Sequence, residues 1–120
     1  MELFAYFKSL LEQDTGPVVI CDTNHTIIYM NPAACQRYSP SLLGKSLLQC
    51  HNPRSRELID QVLSWFRADP AHNRVHTFYN EKENKDVYMI ALRDEAGGLI
   101  GYYEKHAYRD RDLSALYEMN

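Results

Sequence analysis

The last third of the chain carries the pattern that most limits the possible folds. Beyond residue 72 the hydrophobic period is two in three runs, Arg74–Tyr79, Asp86–Arg93 and Leu99–His106, which is typical of β-strands. The segments between these runs hold only six and five residues. A crossover between parallel neighbours needs about a dozen residues or more. The three runs therefore predict an antiparallel meander.

Two further β-rich runs, Val18–Cys21 and Thr26–Met30, flank a polar turn of four residues and predict a hairpin. Short helices are predicted between residues 33 and 50. The longest helical pattern begins at Asn52-Pro53 and stops at Asp69-Pro70. If the hairpin joins the meander, the result is a five-stranded antiparallel sheet with short helices and one longer helix on one face. That architecture belongs to the α+β class.

An amphipathic helix is predicted before the first strand, and Thr15-Gly16-Pro17 ends it. The segment from Asp110 has the pattern of another helix. We therefore divide the chain into an N-terminal helix (1–15), a central domain (16–109) and a C-terminal helical tail (110–120). One face of the N-terminal helix carries an apolar stripe made of Leu3, Phe4, Phe7, Leu10 and Leu11.

Composition excludes several classes of function. The chain has 120 residues, enough for one domain, and 13 basic against 16 acidic residues, a net charge of −3 that offers no basic patch for nucleic acid. No apolar run approaches the roughly 18 residues of a membrane span, and no export signal is visible. Three cysteines without a CxxC pair favour reduced thiols over disulfides or a zinc site, so we predict a cytoplasmic protein.

Three short motifs, in order, carry a family resemblance. Residues 27–34 read IIYMNPAA, residues 38–46 read YSPSLLGKS, and residues 93–101 read RDEAGGLIG. They are similar to the "yxNxA" start of the first helix, the "y-s-p-x-x-l-i-G-k" segment and the "r-D-e-d-G-x-x-x-G" turn of PAS domains. From about residue 16 to residue 110 the chain resembles a PAS domain, as a stand-alone, single-domain protein of bacterial type.

The resemblance implies a sensor or interaction module. It implies a pocket between sheet and helices that holds a small ligand, a cofactor or only side chains, and a dimer often formed through the helix before the first strand. A chain of 120 residues leaves no room for an output domain. Signalling is therefore expected through dimerisation or through a downstream partner protein.

The resemblance does not identify a cofactor. Flavin-binding members carry a reactive cysteine where this chain has Leu47, and Cys50 comes three residues late. Haem-binding members place a histidine in the long helix, but none lies between Pro53 and Asp69. Cys50 and His51, just before that helix, remain weak candidates for a haem or metal redox sensor. A ligand-free protein-interaction module is the other alternative.

Strand parity leads to a prediction of the pocket wall. We favour Val87, Met89, Tyr102 and His106 facing the pocket, although a register slip of one residue would exchange the two faces. His25 and His72 are expected in solvent.

The sequence contains no recognisable set of nucleophile, base and acid of a catalytic site, so an enzyme is not predicted. The predicted ligand is apolar or aromatic, with a polar end near His106, and its predicted contacts are Phe66, Phe78, Met89, Tyr102 and His106.

Both faces of the Asp86–Arg93 strand are apolar, which implies that both are covered. The helices cover one face. The N-terminal stripe covers the other, either within the chain or from a second subunit. We predict a homodimer whose interface includes the five stripe residues.

Overall fold

The five strands form one antiparallel sheet, as predicted. In a computed structural model, which describes residues 2–119, the spatial order of the strands is β2-β1-β5-β4-β3. The central strand β5 pairs with both β1 and β4. The strands are β1 (Val19–Asp22), β2 (Ile27–Met30), β3 (Arg74–Asn80), β4 (Lys85–Arg93) and β5 (Leu99–Tyr108).

Three α-helices accompany the sheet. They are α1 (Leu3–Gln13), α2 (Pro32–Arg37) and α3 (Pro53–Ala68), and 3-10 turns lie at Pro40–Leu42 and Leu47–Cys50. The helices α2 and α3 begin in the same way, because an asparagine precedes a proline at each start. The side chain of Asn31 accepts a hydrogen bond from the Ala34 amide, and that of Asn52 accepts one from the Ser55 amide.

The core lies between one face of the sheet and α3. Three buried side chains of α3, those of Ile59, Leu63 and Phe66, face the sheet. Gly101 lets β5 approach β1, since a Cβ atom at that position would lie 2.2 Å from the Cys21 carbonyl oxygen. The packed cluster on the sheet and on α2 consists of Val19, Cys21, Ile27, Ala34, Met89 and Tyr102.

Asn31 connects three elements at once. Its side chain is fully buried, and its Oδ1 atom accepts from the amides of Val18 and Ala34, each at 2.9 Å. Its Nδ2 atom donates to the carbonyls of Leu11 and Gly16, at 2.9 and 3.0 Å. The end of α1, the start of β1 and the start of α2 are therefore held by one amide group.

Helix α1 forms as predicted but buries none of its residues. Leu3, Phe4, Phe7 and Leu10 are each more than half exposed, and only Leu11 of the stripe is partly covered. The stripe therefore does not pack along the chain's own sheet. The outer face of β4, made of Tyr88, Ile90 and Leu92, remains partly exposed in the single chain.

The helix predicted over residues 110–120 does not form in residues 110–119, so that prediction was wrong for the described part. Leu113 and Leu116 are 84% and 91% exposed, and nothing packs against them. A segment this short has little helical stability without tertiary contacts. Met1 and Asn120, which belong to the predicted first and last segments, lie outside the described residues.

Candidate ligand-binding cavity

A cavity of about 700 Å³ lies between the inner face of the sheet and the helices. Small-molecule sites in proteins occupy roughly 300–1,000 Å³, so this cavity has the size of a ligand site. Apolar side chains form most of its wall. From the sheet these are Val19, Cys21, Ile27, Val75, Val87, Met89 and Tyr102, and from the helices and 3-10 turns Leu42, Leu47, Leu58, Ile59 and Val62.

The strand register places the favoured parity toward this cavity. Val87 lies opposite His106, and Met89 lies opposite Glu104. These side chains and Tyr102 line the cavity, whereas Tyr88 and Ile90 lie on the other face.

Four of the five predicted ligand contacts surround the cavity, and one does not. Met89, Tyr102 and His106 lie along the wall, and Phe78 lies at the rim with 58% of its surface exposed. Phe66 is fully buried and does not line the cavity. It lies one turn beyond Val62, the last cavity-lining residue of α3, so its ring fills the core instead.

His25 is not solvated, contrary to the prediction. Its side chain is only 12% exposed, its Nδ1 atom lies 2.8 Å from the Tyr102 hydroxyl, and its Nε2 atom lies 3.1 Å from Asp60 Oδ1. The left-handed backbone of His25, with φ of 66°, aims the ring from the β1–β2 turn toward α3. His72 also has partners, because its ring stacks on Trp65 at 3.9 Å and its Nδ1 atom lies 2.7 Å from the Trp65 carbonyl.

Burial keeps two cavity groups protonated. Desolvation raises the pKa of the Cys21 thiol to about 11, since Cys21 is only 1% exposed. Desolvation likewise raises the pKa of the Tyr102 hydroxyl, and the nearby Cys21 adds to that shift. At neutral pH this part of the wall offers uncharged groups.

His106 and Glu104 form a pair on the inner face of β5. The His106 Nε2 atom lies 3.0 Å from Glu104 Oε1, and the His106 side chain is only 3% exposed. The Nδ1 atom of the same ring is buried and has no hydrogen-bond partner among residues 2–119. Buried polar atoms without partners are uncommon in proteins.

Lys85 lies near the same end of the cavity. Its side chain is 1% exposed, and among the described residues its Nζ atom has one hydrogen-bond acceptor, Glu83 Oε1 at 3.4 Å. Both oxygens of Glu83 are held at 2.7 Å by the guanidinium of Arg37. These hydrogen bonds lower the pKa of Glu83 to about 2, so the carboxylate is ionised across the neutral range.

The sequence reasoning missed four charged residues of this end, Arg37, Glu83, Lys85 and Glu104. A signal for two of them was present. Lys85 precedes Val87 by two positions, and Glu104 precedes His106 by two, so strand alternation places both on the inward face. Charged residues at inward positions of a strand are uncommon and often functional.

Cys50 and His51, the weak metal candidates, both line the cavity. Cys50 is exposed and His51 is half-buried. Within residues 2–119 no group of three or more His, Cys, Asp or Glu side chains is placed to hold a metal ion. All three cysteines of the chain are free.

A family model described as "PAS domain" matches residues 15–104, which is most of the chain. The chain belongs to the PAS domain family. The match confirms the family that the sequence motifs predicted. PAS domains are generally sensor or signalling modules. No curated protein matches the chain significantly. Among the helices of residues 2–119, none is both long and apolar enough to cross a membrane.

Solved structures share this PAS fold. The chain is similar to a C-terminal domain from Streptococcus mutans, with 22% identity and a TM-score of 0.69, over 88% of this chain and 84% of that one. It is similar to a PAS domain from Colwellia psychrerythraea, with 14% identity and a TM-score of 0.66, over 89% and 97%. A third similar structure is the PAS domain of BvgS from Bordetella pertussis, with 16% identity and a TM-score of 0.61, over 92% and 89%.

Proposed function

We propose that this PAS domain is a non-catalytic sensor module that binds a small organic ligand in its cavity. It signals through dimerisation or through a partner protein. The observation that carries the proposal is the cavity of about 700 Å³ with an unpartnered buried nitrogen on its wall. A cytoplasmic setting is part of the proposal, since the free cysteines suit a reducing compartment.

The size and lining of the cavity favour a ligand over a ligand-free core. Protein interiors are close-packed, and voids much larger than a water molecule are few. An interaction module without a ligand would close this space with its own side chains. The wall is mainly apolar, and Lys85 and His106 add charged or polar groups on its adjacent strands, which suits an apolar or aromatic body with one polar end.

The exposed stripe of α1 supports the dimer. An isolated helix of 11 residues is marginal in water, because most helical stability in proteins comes from packing an apolar face. Phe4 and Leu10 are 73% and 70% exposed in the single chain. A contiguous apolar surface of this kind marks an interaction site. We infer that a second copy of the chain covers it, together with the outer face of β4.

Native mass spectrometry of gently purified protein, with a thermal-shift screen of apolar and aromatic compounds, tests ligand binding. We expect a co-purified molecule or a stabilising compound. A compound at 100 times its dissociation constant stabilises the protein by about 2.7 kcal/mol, which raises the melting temperature by several degrees.

Two matched variants locate the binding. Val62→Trp fills the cavity from α3, whereas Gln61→Trp adds the same ring to the exposed side of that helix. The ligand effect should disappear in the first variant and persist in the second. If neither a co-purified molecule nor any stabilising compound is found in the wild type, the ligand-binding proposal is wrong.

A further inference from the structure

Lys85 is a buried cation with too few partners. An ammonium group has three donors, yet within the described part of the chain the one hydrogen-bond acceptor near Lys85 Nζ is Glu83 Oε1 at 3.4 Å. The Tyr108 ring, whose centroid lies 5.3 Å from Nζ, adds a cation–π contact but carries no negative charge. The Glu83 carboxylate already accepts two shorter bonds from Arg37 and a third, at 2.8 Å, from Asn80. One negative charge is thus shared by two cations. A buried charge that is poorly paired is costly, so the site favours a further acceptor that carries negative charge.

The protonation of His106 follows from its partner. A carboxylate only accepts hydrogen bonds, so the Nε2 atom facing Glu104 carries the proton in either state of the ring. In the neutral ring, the buried Nδ1 atom is then an acceptor. In the protonated ring it becomes a donor.

The register brings the two groups together. Lys85 lies opposite Tyr108, and His106 lies opposite Val87 on the adjacent strand. Lys85 and His106 are therefore diagonal neighbours on the inner face, and such positions are roughly 7–8 Å apart between Cα atoms. Their long side chains can reach one small group between them.

We propose that this end of the cavity binds the carboxylate of a singly charged ligand with an apolar body, and that His106 takes up a proton when it binds. One carboxylate oxygen accepts from Lys85 Nζ, and the other accepts from the Nδ1–H of protonated His106. The proton comes from solvent, and no covalent bond changes. This inference rests on the proposed function, because it requires that the cavity hold a ligand.

Charge balance favours one negative charge on the ligand. The nearby fixed charges are Arg37 and Lys85, both positive, and Glu83 and Glu104, both negative, so they cancel. A monoanion together with one proton keeps the sum at zero, whereas a dianion would leave an excess. The remaining ionisable groups of the wall are Cys21, Tyr38, Cys50, His51, His76 and Tyr102. Burial raises the pKa of Tyr38, Cys21 and Tyr102, so these three stay neutral.

A primary amide is the rival polar end. Its carbonyl would accept from Lys85 and its N–H would donate to neutral His106, without any proton uptake. With the carboxylate both hydrogen bonds join ionised partners, whereas with the amide only the bond from Lys85 is charge-assisted, which favours the carboxylate. The number of protons taken up on binding distinguishes a carboxylate ligand from an amide ligand.

Isothermal titration of the wild-type protein with 4-phenylbutyrate, 4-phenylbutanamide and 4-phenylbutanol tests the proposal. These probes share one apolar body. We expect the carboxylate to bind at least tenfold more tightly than the other two at pH 6.5. Titrations in two buffers of different ionisation enthalpy should show net proton uptake. As pH rises from 6 to 9, affinity should fall, because binding takes up a proton.

Lys85→Met should weaken 4-phenylbutyrate at least tenfold with little effect on the alcohol. The matched Lys105→Met change removes an exposed lysine and should have no effect. His106→Gln should abolish proton uptake. The wild-type titrations remain decisive even if a variant fails to fold.

Three outcomes overturn the proposal. Equal affinity for the three probes, or carboxylate binding without proton uptake, overturns it while leaving the cavity as a ligand site. If none of the probes binds, the carboxylate proposal also fails, and the mass spectrometry and Val62→Trp comparison above then decide the proposed function separately.

Discussion

The guanidinium of Arg37 holds both carboxylate oxygens of Glu83 at 2.7 Å, although 46 residues separate the two in sequence. Arg37 ends α2 and Glu83 lies in the turn between β3 and β4. The pair therefore joins the helical side of the cavity to the edge hairpin of the sheet. Both side chains are about one-third exposed, at 35% and 33%, so the pair lies at the rim.

Removing this ion pair should change how the stability of the folded protein depends on pH. Arg37 lowers the pKa of Glu83 to about 2, below its unfolded value. The stabilisation of the folded state by ionised Glu83 is thus fully present above about pH 4.5 and is lost as pH falls toward 2. Glu83→Gln should remove that contribution and lower the melting temperature by roughly a few degrees.

Thermal melts from pH 2 to 7 measure this effect. Glu81→Gln, an exposed change in the same turn, is the control and should follow the wild type. If Glu83→Gln and wild-type protein lose stability equally between pH 4.5 and 2, the pair does not contribute as described.

Asn31→Ala should be strongly destabilising. The change leaves the buried amides of Val18 and Ala34 and the carbonyls of Leu11 and Gly16 without their side-chain partner. Each buried unsatisfied group costs about 1–3 kcal/mol, so we expect a loss of about 3 kcal/mol or more in the free energy of unfolding.

Urea denaturation measures that loss. Asn52→Ala is the matched control, because Asn52 also caps a helix before a proline but is exposed. It should cost only about 1 kcal/mol. Equal losses in the two variants would show that the buried connection contributes nothing beyond an ordinary cap.

Local sequence signals predicted the fold well, because the start or the periodicity of each helix and strand can be recognised from a few neighbouring residues. Asn31 and Asn52 mark the starts of α2 and α3, and period-two runs mark β3 to β5. The apolar part of the cavity wall followed from strand parity and included Met89 and Tyr102.

The polar end of the cavity could not be predicted in the same way. The pairing of Arg37 with Glu83 depends on where the β3–β4 turn lies relative to α2. No local sequence pattern indicates that relative position. His25 was misjudged for a similar reason, since its turn looked solvent-exposed until the fold placed Tyr102 and Asp60 beside it. Phe66 fits the helical stripe, yet its position along α3 places it beyond the cavity.

The three cysteines should react with thiol reagents in a defined order. Cys50 is exposed, Cys35 is half-buried, and Cys21 is buried with its pKa raised to about 11. Because the thiolate is the reactive form, Cys21 should react only after unfolding. Timed labelling with 5,5′-dithiobis(2-nitrobenzoate) and peptide mass spectrometry checks this order.

Cys50→Ser is the control, because it should remove the fastest phase and leave the slowest unchanged. Labelling of Cys21 in the native protein at a rate similar to that of Cys50 would contradict the buried position of Cys21.

The dimer predicts a specific effect of charge on α1. Sedimentation velocity of the wild type should give twice the 14.0 kDa chain mass. Phe4→Glu combined with Phe7→Glu places two charges on the exposed stripe. If a second copy covers these rings in the wild type, the dimer of the double variant would bury the new carboxylates. Dissociation keeps them in water, so the double variant should be monomeric. Its chain fold should persist, since α1 buries no residue within its own chain.

Phe78→Glu is the matched control, because Phe78 is 58% exposed and Phe7 is 55% exposed, but Phe78 lies at the cavity rim and not on α1. It should remain dimeric. The comparison separates a loss of the α1 interface from a general effect of an added charge on an exposed ring. A wild type that sediments as a monomer at high concentration overturns the dimer, and an equal effect of both changes places the interface elsewhere.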